Sequence, residues 1–440
     1  MEDFAALSER IVNRALKAGA QDVVANVYAN RSYQIRFAQN QPVISNQWRE
    51  RAAFVGVVVD KRVVATEIED LSNVDERVDD LVALARRSQE NPLYGGLAEG
   101  PFQYSDVPVD KRIIDLDDGG DYVEAAVNAA MAEGAVETAG SFWKNDYEHF
   151  LHTSNGAVGR DHRVSVYISI RAFMAPESSG HGVSCASSLS EFEPEVAGRK
   201  AGQIAALAKN PKSGEPGKYD IIFDPLILSS LTYEIGRQCS AFAVLAGLSP
   251  LKDKIGESVA SEAVTIIDDG SADSINRLRF DEEGVPTQRN VLIDKGVLRT
   301  YLHNTSTAKL FEQETTANAG LVQPLPHALF CQPGDYSREE LFAEVKDGLW
   351  LTNTWYTRYQ SYITGDFSTI PRDGIFRIKD GEVVEVWKDI RLTDNILNLW
   401  QQIDAVGRET HQLKWWYEVP GPVFAPYAVA RDIGITKSAM

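Results

Sequence analysis

Apolar residues open the chain at helical spacing. Phe4, Leu7, Ile11, Val12 and Ala15 fall on one face, with Asp3 placed to cap the start and Gly19 the end. The period then drops towards two. Val23–Tyr28, Tyr33–Ala38, Arg51–Val59 and Arg62–Thr66 are rich in β-branched and aromatic residues and predict strands. Helical spacing returns over Val74–Gln89 and again over Tyr122–Glu133, separated by an aperiodic Pro/Gly stretch from Asn91 to Lys111. Ser141–Thr153 and Arg163–Met174 predict further strands. In the second, Val164, Val166, Ile168 and Ile170 alternate with Ser165, Tyr167, Ser169 and Arg171, as a half-buried antiparallel strand requires. Ala197, Ala201, Ile204, Ala205 and Ala208 mark one more amphipathic helix.

Lys209–Lys218 carries two prolines, two glycines and no apolar side chain, which sets a boundary. Beyond it strands dominate, with two hairpins: Gln288–Ile293 with Val297–Leu302, and Gly374–Ile378 with Val383–Val386. The expected fold class is α+β in two domains. Residues 1–215 would pack helices on a mostly antiparallel sheet; residues 216–440 would form a larger β-rich domain enclosing a helix near Thr232.

Composition narrows the function. A net charge of −19 repels phosphate backbones, so nucleic acid is not an expected partner. Three cysteines, Cys185, Cys239 and Cys331, supply neither a disulfide framework nor a CxxC zinc cage. The N-terminus lacks a signal-peptide apolar core, and no apolar run could span a bilayer, so a cytoplasmic protein with no membrane role is expected. Asp115–Asp121 has the wrong spacing for a calcium loop, and Asp121 is expected to cap the following helix. His181-Gly-Val-Ser-Cys185 reads as a glycine-rich loop rather than a Cys/His catalytic pair, and Cys239 as a core residue.

Four segments occur in an order that resembles the TldD/TldE (PmbA) metallopeptidase family. They are Tyr219-Asp-Ile-Ile-Phe-Asp-Pro225; Lys254–Glu262 with Ile267-Asp-Asp-Gly270; Phe280-Asp-Glu-Glu-Gly284 with Arg289–Gly296; and Tyr362-Ile-Thr-Gly-Asp-Phe-Ser368 with Asp380-Gly-Glu382. The resemblance implies a helix after Pro225 that in active members carries His-Glu-x-x-x-His. A late cysteine completes the site for a Zn²⁺ that activates water, with the Glu accepting its proton.

This chain departs from the pattern at every ligand. One register puts Thr232 and Arg237 at the histidine positions and Tyr233 at the glutamate; shifting by one puts Tyr233 and Gln238 at the histidines and keeps Glu234. Neither supplies a histidine, and the last cysteine is Cys331. No metal or catalytic residue is therefore expected here, and Thr232, Tyr233, Glu234, Arg237 and Gln238 are expected to line a vestigial pocket. Trp355, Tyr356, Arg358, Tyr359 and Tyr362 are candidates for gripping a peptide or a partner, since Tyr, Trp and Arg are favoured at such surfaces. The resemblance implies a TldE-type subunit pairing with a zinc-bearing TldD-type partner to cleave unfolded or short, modified peptides; a homodimer stays open. Two rival readings are a self-sufficient hydrolase using Glu234 or Cys239, and a non-enzymatic modulator of DNA gyrase.

Overall fold

The computed structural model describes residues 3–320 and 323–438. Its first body is one six-stranded antiparallel sheet, β1 (Asp22–Ala38), β2 (Gln41–Val59), β3 (Arg62–Ile68), β4 (Glu137–Thr153), β5 (Val158–Ala175) and β6 (Ser178–Ala186), in the order β3-β2-β1-β4-β5-β6. Its helices are α1 (Phe4–Lys17), α2 (Val74–Ala85), a single turn α3 (Lys111–Ile114), α4 (Gly120–Ala132) and α5 (Pro194–Leu207).

Alternation decides what covers each face of this sheet. Odd positions of β1 point to one side along its whole length. Val23, Ala25 and Val27 pack beneath α1 and α2, and Ile35 and Phe37 beneath α4 and α5. Part of the other face is covered by the second half of the chain. Asn26 donates to Glu282, the rings of His149 and Phe280 lie 5.3 Å apart, and Arg171 pairs with Asp373.

That second half contains β7 (Lys212–Ser213), β8 (Gly217–Phe223), α6 (Pro225–Gln238), α7 (Ala241–Leu245), β9 (Ile266–Asp269), β10 (Arg289–Asp294), β11 (Val297–Leu298), α8 (Thr305–Leu310), β12 (Leu329–Cys331) and α9 (Arg338–Ala343). It continues through β13 (Asp347–Ser361), β14 (Asp366–Lys379), β15 (Glu382–Lys388), β16 (Ile390–Asn395), α10 (Ile396–Gln401), β17 (Ile403–Val406), β18 (His411–Trp415), β19 (Val419–Ala425) and β20 (Ala428–Lys437). Strands β8, β13, β14, β16 and β20 each pair with the next and close a five-stranded barrel. A second sheet runs β11-β10-β9-β12-β19-β18. Alternate residues along β8 and β13 divide between two cores. Ile221, Phe223, Leu349 and Leu351 meet Leu231 and Ile235 of α6, whereas Ile222 and Trp350 meet Ile204 of α5 and Leu341 of α9. The α+β class, with a β-rich second half around the Thr232 helix, is as expected.

Several local expectations need correction. The two short strands at Val23 and Tyr33 are one strand, because cross-strand polar pairs hold the middle in the ladder: Asn30 donates to Glu50 and Arg31 pairs with Asp146. β2 begins ten residues earlier than its apolar pattern, at Gln41, since that stretch is exposed on both sides. The helix expected to run to Gln89 ends at Ala85. Part of the 209–218 connection pairs as β7 with β15. The helix after Asp115–Asp121 is capped by Gly119, with the Asp118 carboxylate accepting from Gly120 N–H, and Asp121 lies in its first turn. Asp3 takes the N-cap position of α1 without a side-chain bond. The segment 178–186 is a buried strand, not a loop. Its glycines are there because α5 lies directly on them: a Cβ at Gly182 would stand 2.0 Å from the Ala197 carbonyl oxygen.

Candidate functional site

Helix α6 starts from the Asp224-Pro225 pair at the end of β8. The Asp224 carboxylate accepts the Leu226 N–H and an ion pair from Lys200 of α5 at 2.7 Å, so both halves of the chain fix the start of the helix. Nearly every residue of α6 is buried. Gly236 is needed because a side chain there would drive into Leu329.

The five residues of the expected vestigial pocket separate into two groups. Thr232 is fully buried and donates to the Leu228 carbonyl at 2.8 Å, turned away from any shared site. Tyr233, Glu234, Arg237 and Gln238 lie towards β13 and the β18–β19 turn. Arg237 pairs with Glu234 at 3.4 Å and sits 5.9 Å from the centre of the Tyr233 ring. Burial raises the pKa of Glu234 above the usual carboxylate range, Arg237 pulls it back, and Glu418 pushes it up again. Tyr359 lies against Glu234, Gln238 and Arg237; burial first, then the Glu234 charge, raises its pKa well above normal. Tyr362 stacks on Tyr359 at 4.8 Å.

Of the aromatic candidates, then, Tyr359 and Tyr362 join the α6 cluster. Trp355, Tyr356 and Arg358 form a separate patch. Arg358 lies 4.3 Å over Tyr356, Arg372 lies 4.3 Å over Trp355, and Trp355 faces Trp416 at 6.0 Å. Tyr356, Trp416 and the neighbouring Tyr417 are exposed. Glu418 links the two groups, and residue-type reasoning missed it. It accepts the Tyr356 N–H at 2.9 Å and the Thr357 N–H at 3.4 Å, where Tyr356 takes φ 64° and the ladder of β13 shifts register. The signal available was a glutamate in the Trp415–Pro422 stretch, where the resemblance implies a cysteine.

These donors do not fit a zinc-type metal. The cluster offers two carboxylates, phenols and an amide, with a guanidinium among them. Zinc sites need imidazole or thiolate ligands, and an Arg in the cluster opposes a cation. Among the described residues no group of three His, Cys, Asp or Glu is placed to hold a metal.

Among the described residues, neither the buried thiols nor the close Ser169–His181 contact is set up as a nucleophile. Burial raises Cys239 and Cys185 to about 12, so both stay protonated. Ser169 Oγ lies 2.8 Å from His181 Nε2, a geometry that invites comparison with a hydrolase. The proton is on the wrong atom. Asn353 Oδ1 accepts the Thr354 N–H at 2.7 Å and its Nδ2 donates to Asp373 at 2.9 Å, which fixes the amide orientation. The same Nδ2 therefore faces His181 Nδ1 at 3.0 Å as a donor, so Nε2 carries the ring proton and donates to Ser169. General-base activation of a serine requires the reverse. Burial lowers His181 to about 4, keeping it neutral. This network ties the first sheet to β13 and β14.

A family model described as the PmbA/TldA metallopeptidase C-terminal domain matches residues 216–437, and one for the central domain matches 104–209. A metalloprotease of Methanothermobacter thermautotrophicus is 30% identical over 324 residues, covering 69% of this chain and 68% of that one. Two solved structures share the fold: a candidate modulator of a DNA gyrase from Thermotoga maritima (TM-score 0.87, 23% identity, covering 99% of this chain and all of the other), and TldE from Thermococcus kodakarensis (TM-score 0.86, 19% identity, 98% of this chain and all of the other). Among the described residues no helix is long and apolar enough to cross a membrane.

Proposed function

The chain belongs to the PmbA/TldD metallopeptidase family, and we propose that within it this chain is the non-catalytic, TldE-type subunit of a two-component zinc peptidase acting on unfolded or short peptides. The metal and the water-activating glutamate come from a TldD-type partner. This chain supplies a wall of the peptide cleft and holds the partner's site in shape.

One observation carries the reading. The helix face that must present two imidazoles to a metal instead holds an Arg237–Glu234 ion pair under Tyr359. A helix face that carries its own guanidinium, paired to its own carboxylate, opposes a divalent cation. The patch of Trp355, Tyr356 and Arg358, with Trp416 and Tyr417, has the amphipathic character that grips extended peptide. The self-sufficient hydrolase is opposed by the protonated thiols and by the His181 tautomer. The protein would act inside the cell, with no role at a membrane or on nucleic acid.

The test uses the purified chain alone and mixed with a TldD-type protein carrying an intact His-Glu-x-x-x-His from the same genome. Unstructured peptide is the substrate, with and without chelator. Cleavage should need the mixture and disappear with chelator. Zinc-dependent cleavage by the isolated chain would overturn the proposal.

A further inference from the structure

Charge is unevenly spread over this acidic molecule. In a chain of net charge −19, Arg199 and Lys200 of α5 and Arg338 of α9 converge on one cleft of about 350 Å³ walled by Trp350, Tyr427 and Leu207. The cleft lies between the two halves of the chain. α5 contributes positions spaced three and four apart, the face it does not bury against the sheet. Two of the three cations have no carboxylate or hydrogen-bond partner among the described residues. Lys200 is committed to Asp224, but the side chains of Arg199 and Arg338 make no ion pair or hydrogen bond among the described residues. Arg338 is held by aromatic faces instead, 4.6 Å from the centre of Phe342, 5.3 Å from Trp350 and 5.6 Å from Tyr427. Cation–π contact fixes a guanidinium without neutralising it and leaves its N–H groups free for an anion.

From this arrangement we propose that the α5–α9 cleft is a binding site for a small organic anion: a carboxylate or phosphate head on a flat apolar body. The head bridges Arg199 and Arg338 by charge-assisted hydrogen bonds, and the body lies along Tyr427 and the exposed apolar rim of α5, Val196 and Leu207. The volume is in the range of small-molecule sites. Because Arg199 belongs to the first half and Arg338 to the second, such a ligand clamps the two together and stabilises the fold by mass action. The cleft adjoins the Lys200–Asp224 start of α6, about 20 Å along the helix from Arg237, and the inference does not draw on the peptidase reading.

Binding to the full chain can be measured by calorimetry and by thermal unfolding with four probes: 3-phenylpropionate, phenyl phosphate, inorganic phosphate and the neutral 3-phenylpropanamide. At least one aromatic anion should bind one-to-one and raise the melting temperature, more tightly than inorganic phosphate, while the amide should not bind. A stronger phenylpropionate response identifies a carboxylate ligand such as a peptide C-terminus; a stronger phenyl phosphate response identifies a phosphoryl ligand. Arg199→Glu, at an exposed position with no ion pair or hydrogen bond among the described residues, and Arg338→Gln should each weaken binding at least about tenfold. Equal affinity for the amide, unchanged binding in Arg199→Glu, or no saturable binding of either aromatic anion would overturn the proposal.

Discussion

Replacing Arg237 by Met should cost stability in a pH-dependent way, and the size follows from the geometry. The pair with Glu234 spans 3.4 Å, which at an effective dielectric of about 20 is a gross attraction of about 5 kcal/mol. Water reduces this, because the Arg237 side chain is 41% exposed, although that of Glu234 is only 12% exposed. Between the small value of exposed pairs and the several kcal/mol of fully buried ones, a net loss of about 1–2 kcal/mol is expected near pH 8. Glu234 then keeps burial and the Glu418 charge, both of which favour its neutral form, opposed only by the smaller effect of its hydrogen bond from Tyr359. A carboxyl whose folded-state pKa is raised contributes stability that is present below its unfolded pKa and lost as pH rises through the folded value. The penalty in Arg237→Met should therefore shrink between pH 8 and pH 5, and the double variant with Glu234→Gln should recover most of it at pH 8. Urea unfolding followed by tryptophan fluorescence at both pH values, with unchanged denaturant slope, reads this directly. A penalty equal at the two pH values, or no recovery in the double variant, would refute the stabilising Arg237–Glu234 pair.

Other consequences are as specific. Gly182→Ala should destabilise the first body by about 1–3 kcal/mol, seen as a lower urea midpoint, because the added Cβ meets the α5 backbone rather than a movable side chain. Burial raises the pKa values of Asp281 and Glu283, and the Glu283 charge raises Asp281 further, so stability should fall as pH climbs past about 4; Glu283→Gln should make the decline in melting temperature from pH 5 to 8 shallower, and a steeper decline would contradict the sign. Ser169→Ala should leave peptide cleavage by the two-component complex within about twofold of wild type, since its histidine contact is not that of a nucleophile; loss of turnover with assembly intact would revive the hydrolase reading.

What could be read from the sequence depended on how local the cause was. α1 shows its face in five apolar positions, and β5 shows its strict alternation because one side is core and the other meets polar partners. β6 was misread because its glycines answer to α5, an element outside the strand, and glycine in an isolated stretch signals a turn. The exposed start of β2 shows no period-two alternation because neither face is buried there, and its apolar residues Val43, Ile44 and Trp48 are exposed. Barrel closure was invisible for another reason: it joins β8 to β13 and β20, pairings that span more than a hundred residues. At the site, the missing histidines were plain, but the grouping was not. Glu418 reaches Glu234 only because the β18–β19 turn folds back beside α6, and Thr232 leaves the cluster because helix rotation points it into the core.

The division of labour can be tested most directly by inactivating one subunit at a time in an assembled complex. The account predicts that Gln in place of the Glu of the partner's His-Glu-x-x-x-His abolishes peptide cleavage although this chain is wild type. It also predicts that Glu234→Gln in this chain, paired with a wild-type partner, leaves turnover largely intact. Cleavage that survives the partner's inactivation and is lost with Glu234→Gln would contradict it.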